Sequence, residues 1–174
     1  MSTERRGVFQ IGGADVTILG DDLKVGDTAP DFNVQANDWS LVRGLGDTAG
    51  KVRILAALPS LETSVCDEET RRFNQEAAGL DSDIVIEAIS TDLPYTQKRW
   101  CAAAGIDRVM TLSDHLNAEF GLKYAVLVKE RRMFRRAVFV VDKHDKIAYV
   151  DYMPALGDKP DFEAVLRAAS AALK

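Results

Sequence analysis

Cysteine is scarce in this sequence. Only Cys66 and Cys101 occur in 174 residues, too few for a small secreted scaffold held by disulfides. The two histidines, His115 and His144, lack the paired ligand spacing of a four-ligand zinc site. Long apolar runs are missing as well, and none approaches the ~20 residues of a membrane-spanning helix. Positive charge is in deficit: the net charge is −5. Nucleic acid and anionic membrane surfaces are therefore poor partners, because their phosphates repel the chain. Arg5 and Arg6 have no apolar segment behind them, so no secretory signal is read at the N-terminus. A cytoplasmic, reducing location is the expectation. There is no phosphate loop or GxGxxG fingerprint. There is no Cys-x-x-Cys pair either, which excludes a thioredoxin-type dithiol.

What is present fits one globular domain spanning residues 1–174. The length suits a single domain, and a chain of this size buries a core without disulfides or metal. Hydrophobic residues at 47% and charged residues at 28% are ordinary proportions. Gly7–Ile11 and Asp15–Leu19 read as an N-terminal β-hairpin, about residues 7–19, turning at Gly12-Gly13. A short strand is expected at Phe32–Gln35. Val52–Leu58, Ile84–Ile89 and Ala137–Val141 are nearly continuous apolar runs, which suit strands buried on both faces. Ile147–Tyr152 follows the third run after a short turn, so that pair is antiparallel. Helices are expected at Ser64–Ala78, Pro94–Ala104, Asp114–Tyr124 and Asp161–Leu173. Ser64-x-x-Asp67 reads as a capping box for the first. The order gives an α/β fold with a central mixed β-sheet flanked by helices.

The chemistry centres on Leu58–Asp67. Cys66 falls between a buried strand and the first turn of a helix. Free amides and the positive end of the helix dipole favour a thiolate there and can hold an anionic or oxygen-bearing ligand. Thr63 brings a hydroxyl within three residues, and Pro59 ends the strand and can wall off one side. Cys66 could equally be a small buried hydrophobe. Cys101, near the end of the second helix, reads as helix packing or as the other half of a redox pair. Lys129–Arg136 is the one strongly basic stretch. Most of it reads as a solvated loop, but Arg136 abuts a buried strand, and near Cys66 its guanidinium would favour the thiolate and polarise an oxygen.

These residues resemble a known family. Pro59-x-x-x-Thr63-x-x-Cys66 matches the PxxxTxxC signature of the peroxiredoxins. The stretch PSLETSVCDEETRRFN is similar to the thiol peroxidase branch of that superfamily. Asp92-Leu93-Pro94-Tyr95 through Gln97-Lys98-Arg99-Trp100-Cys101 resembles its DLPFAQxRFC segment, and Arg136-Ala137-Val138 resembles its ARAV segment. Glu62, Trp100, Arg135 and Ala125 depart from the branch's usual Asp, Phe, Ala and Gly. Arg136 is taken over Arg135 because it aligns, and because neighbours entering a strand point to opposite faces.

The resemblance implies a thioredoxin-like fold and a peroxidase acting on hydrogen peroxide and organic hydroperoxides. It implies Cys66 as the attacking cysteine and Cys101 as the resolving one in an intramolecular disulfide. It implies Pro59, Thr63 and Arg136 around the reacting sulfur, thioredoxin as reductant, a homodimer, and no metal or organic cofactor. Two other functions use the same residues: a redox relay passing oxidation to a partner protein, and a binding protein with inert thiols.

Overall fold

The computed structural model describes residues 3–174. Two sheets organise the chain. The smaller contains the N-terminal hairpin, β1 (Glu4–Ile11) and β2 (Ala14–Leu19). The hairpin turns at Gly12-Gly13 as expected, but β1 starts three residues earlier, with a bulge between Arg6 and Phe9. The larger sheet takes in β3 (Asn33–Gln35), β4 (Leu41–Arg43), β5 (Val52–Ala57), β6 (Ile84–Ser90) and β7 (Met110–Ser113). Two two-residue strands, β8 (Leu127–Val128) and β9 (Met133–Phe134), extend the hairpin sheet in the order β1-β2-β8-β9. β10 (Ala137–Val141) and β11 (Ile147–Tyr152) complete the large sheet, ordered β11-β10-β5-β6-β7-β3-β4.

The large sheet is mixed. β5, β6 and β7 are parallel neighbours, whereas β10 runs antiparallel to both β5 and β11. Every residue of β5 and β10 is buried, which explains their predominantly apolar sequences; the exception, Arg53 of β5, donates to the Thr48 hydroxyl and the Leu45 carbonyl. Strand alternation divides the core into two layers. Val52, Ile54, Ala56, Val138 and Val140 face one layer with α1 (Ser64–Ala77) and α4 (Phe162–Ala171). Leu55, Ala57, Phe139 and Val141 face the other, with Phe120 from α3 (Glu119–Lys123). Phe73 anchors α1 and packs edge-on against Phe162 of α4, with ring centroids 5.2 Å apart. Burying such a side chain contributes roughly 1.5–3 kcal/mol.

Four strands lie outside the sequence expectation: β4, β7, β8 and β9. Each has two to four residues, too short for alternation to register. The third helix is also shorter than the expected Asp114–Tyr124. Asp114 turns inward, and its carboxylate accepts the Gly121 amide at 2.8 Å. The chain then passes through a left-handed residue, Ala118, before α3 begins. α2 (Pro94–Ala104) spans the expected residues, with Pro94 at its start and Gly105 left-handed at its end.

Candidate active site

The sheet register brings the key residues together. Ala57, last in β5, pairs with Ala137, first in β10. The chain leaving β5 and the chain entering β10 therefore meet at one end of the sheet. The first carries Pro59, Thr63 and Cys66, and the second carries Arg136. β6 runs parallel to β5, so its exit loop, with Asp92, reaches the same end. Ligand sites in open α/β sheets favour this end of the parallel strands.

Thr63, rather than Ser64, is the N-cap of α1. Its hydroxyl oxygen accepts the Cys66 amide at 3.3 Å and donates its own proton to the Ser60 carbonyl at 3.1 Å. A direct Thr63–sulfur bond is thus not part of this arrangement. Cys66 is the third residue of the helix, and the amides of Ser64 and Val65 precede any helical carbonyl partner. Pro59 is buried just beyond β5. The loop between them is pinned by Asp92, which accepts the Ser60 hydroxyl at 2.7 Å and the Leu61 amide at 2.8 Å.

Cys66 is 0% exposed and belongs to the apolar layer under α1. Its sulfur is nonetheless engaged by a charge. Arg136 Nη2 donates to Cys66 Sγ at 3.3 Å and to the Leu156 carbonyl at 3.1 Å. Its Nη1 donates to Glu69, one turn along α1 from Cys66. Arg136 and Glu69 are both 1% exposed. Burial pushes the Glu69 carboxyl up to about 7, while the Arg136 guanidinium pulls it the other way. Arg135 points elsewhere: it pairs with Asp22, donates to the Ala125 carbonyl, and lies 4.1 Å over the Tyr152 ring. Sequence reading did not single out Glu69. Its signal is an acid three residues after the cysteine, on the same helix face.

Cys101 occupies a separate place. It is half-buried on α2, beside a groove of about 370 Å³ lined also by Asn37, Asp38 and Thr111. Both cysteines are free thiols. Polar contacts clasp the two helices between them. Trp100 Nε1 donates to Asp67 at 3.1 Å, Arg71 donates to the Ala104 carbonyl at 3.0 Å, and Arg99 pairs with Glu62. His115 bonds Ser113, far in role from either sulfur. Among the described residues, no group of three or more His, Cys, Asp and Glu could hold a metal ion. Among them, too, no helix is long and apolar enough to cross a membrane.

A helix-borne cysteine facing a buried arginine, on a mixed sheet of this topology, defines a thioredoxin-like fold of the peroxiredoxin class. The sequence profile of the Redoxin family matches residues 24–166. A thiol peroxidase of Oceanobacillus iheyensis is 58% identical over 87% of this chain and 91% of its own. A thiol peroxidase of Bacillus subtilis is 46% identical over 93% of this chain and 96% of its own. The crystal structure of a peroxiredoxin-like protein from Aquifex aeolicus superposes with a TM-score of 0.87 at 33% identity, covering 96% of this chain and 98% of that one. The chain belongs to the Redoxin family, in its thiol peroxidase branch. Its activity is that of a thiol-dependent peroxidase.

Proposed function

We propose that Cys66 is the attacking thiol and Cys101 the resolving thiol, with thioredoxin as the reductant. The observation that carries this reading is the 3.3 Å hydrogen bond from Arg136 to Cys66 Sγ at the start of α1. A fixed guanidinium stabilises negative charge on that sulfur. The Cys66 thiolate attacks one peroxide oxygen, and the O–O bond breaks. Arg136 and the free amides at the helix start steady the charge moving onto the leaving oxygen, and Thr63 caps that turn by accepting the Cys66 amide. That oxygen takes a proton and departs as water or alcohol, leaving Cys66 as sulfenic acid. Pro59 shields the site from one side. Cys101 then displaces the hydroxyl as water and forms the intramolecular disulfide, which thioredoxin reduces by thiol–disulfide exchange.

A disulfide requires Cα atoms within ~7 Å. Cys66 sits at the start of one helix and Cys101 near the end of another. The first turn of α1 and the end of α2 therefore unwind locally, releasing the Trp100–Asp67 and Arg71–Ala104 contacts. Single-domain organisation over residues 1–174, a homodimer and a cytoplasmic location complete the reading.

Steady-state peroxide consumption with thioredoxin and its reductase tests it. Wild type turns over continuously, Cys66→Ser is inactive, and Cys101→Ser completes one turnover and stalls. Full activity in Cys66→Ser overturns the reading. Slow wild-type turnover with a trapped mixed disulfide to another protein would favour a relay instead.

A further inference from the structure

The exit of β6 is bonded more densely than a connecting loop requires. Asp92 lies there, between β6 and α2, and three donors share its carboxylate. One oxygen accepts the Ser60 hydroxyl at 2.7 Å. The other accepts the Leu61 amide and the Ser90 hydroxyl, both at 2.8 Å. The backbone of Asp92 is itself fixed. Its carbonyl accepts the Ser113 hydroxyl at 2.5 Å, and its amide donates to Ser90 Oγ at 3.2 Å. Gln97 of α2, 0% exposed, donates to the same Ser90 oxygen at 3.1 Å. Asp92 therefore presents its carboxylate to residues 60–61 from a base held by β6, β7 and α2.

This grip bears on Cys66 through one peptide unit. The Leu61 N–H and the Ser60 C=O belong to the same planar amide, so fixing the direction of one fixes the other. The Ser60 carbonyl accepts both the amide and the hydroxyl of Thr63, each at 3.1 Å. With its proton committed there, Thr63 Oγ1 turns its lone pairs to the Cys66 amide at 3.3 Å. The Thr63 carbonyl accepts the Asp67 amide at 2.9 Å. The path from Asp92 to the first turn of α1 thus runs through one rigid peptide and one capping hydroxyl. Hydrogen bonds in such a series polarise one another. A carboxylate on the N–H makes the C=O a stronger acceptor for Thr63.

We propose that Asp92 is a positioning residue that sets how readily the first turn of α1 unwinds, and so apportions oxidised Cys66 between disulfide formation and overoxidation. This deepens the proposed function and rests on its assignment of Cys66 and Cys101. Only the folded turn needs the Ser60 carbonyl aimed at Thr63. Once the turn unwinds, the cap has nothing to hold, so the carboxylate favours the folded turn over the unwound one. Two fates then compete for the Cys66 sulfenic acid. In the unwound turn Cys101 reaches it, the S–S bond forms, and the hydroxyl leaves with the Cys101 proton as water. In the folded turn a second peroxide transfers one oxygen to the sulfur and departs as water or alcohol, leaving sulfinic acid. A firmer hold by Asp92 prolongs the second exposure.

The test compares wild type with Asp92→Asn, which keeps the shape of the side chain and an acceptor for Leu61 but loses the charge. The first arm is amide hydrogen exchange on the reduced protein. The Cys66 and Asp67 amides exchange about tenfold faster in Asp92→Asn, as expected when a bond to a charged group becomes a neutral one. Amides of β10 and α4 keep their wild-type rates. The second arm is stopped flow with hydrogen peroxide. Disulfide formation quickens by a similar factor, and sulfinic acid appears only at higher peroxide. The peroxide step slows far less, because the folded turn remains the majority state. Ile147→Ala, in the far layer of the core, lowers the melting temperature and produces none of these changes. Unchanged exchange at Cys66 and Asp67, a slower disulfide step, or an Asp92→Asn profile matching that of Ile147→Ala overturns the proposal. If Cys101→Ser turns over continuously with thioredoxin, the resolving assignment fails and the apportioning with it, whereas the exchange arm still decides whether Asp92 holds the turn.

Discussion

Two adjacent arginines have unrelated fates in this fold. Arg136 turns under the sheet edge to Cys66 and Glu69, and Arg135 turns outward to Asp22 and Tyr152. Strand alternation forces that split, which is why the sequence alone could separate them. One guanidinium serves three acceptors: the sulfur, the Glu69 carboxylate and the Leu156 carbonyl. A lysine ammonium keeps the charge but lacks the planar fork. Arg136→Lys should therefore lower the rate of Cys66 oxidation about a hundredfold, measured by competition for hydrogen peroxide. Its unfolding midpoint should fall less than that of Arg136→Gln, which leaves Glu69 buried without a cationic partner. A wild-type rate in Arg136→Lys contradicts this assignment. The sequence made Cys66 legible because it follows an apolar strand and opens a helix. It could not reveal that Thr63 spends its hydroxyl on the Ser60 carbonyl. Nor could it show Glu69 behind Arg136, since the partner of a buried acid emerges only when distant strands pair.

Among the elements, β6 holds an unexpected group. Glu87 sits in the middle of a buried strand at 0% exposure, on the sheet face away from Cys66, and neither of its carboxylate oxygens has a hydrogen-bond partner among the described residues. Burial pushes its carboxyl from the usual 4.5 up to about 8. Arg53 opposes the shift, and the acids Asp31 and Asp47 add to it. The folded chain then holds this proton more tightly than the unfolded chain does. Its stabilising contribution is intact below the unfolded value and is lost as the pH rises through about 8. Glu87→Gln does not titrate. Its melting temperature should rise relative to wild type between about pH 5 and about pH 9, following that same titration. A wild type–variant difference constant with pH contradicts it. The sequence made the long elements legible: β5, β6, β10, β11, α1, α2 and α4 coincide with apolar runs or amphipathic stretches between clear caps. β4, β7, β8 and β9 were illegible because they are ordered by their neighbours. β7 exists because β6 offers a parallel edge from Glu87 to Ser90, and β8 and β9 because the hairpin does.

For the whole molecule, the antiparallel β10 closing onto β5 is the decisive feature. It places a loop from residue 136 against a helix starting at residue 64, a meeting that no local pattern encodes. The motifs carried that information only through their resemblance to a family whose topology is shared. The remaining question is whether the sulfur so gripped is the one that reacts. The most direct measurement treats reduced Cys101→Ser protein with one equivalent of hydrogen peroxide and a sulfenic-acid trapping reagent, then maps the adduct by mass spectrometry. The account predicts the adduct on Cys66, formed in step with peroxide loss. Peroxide consumption with Cys66 recovered as an unmodified thiol would contradict it.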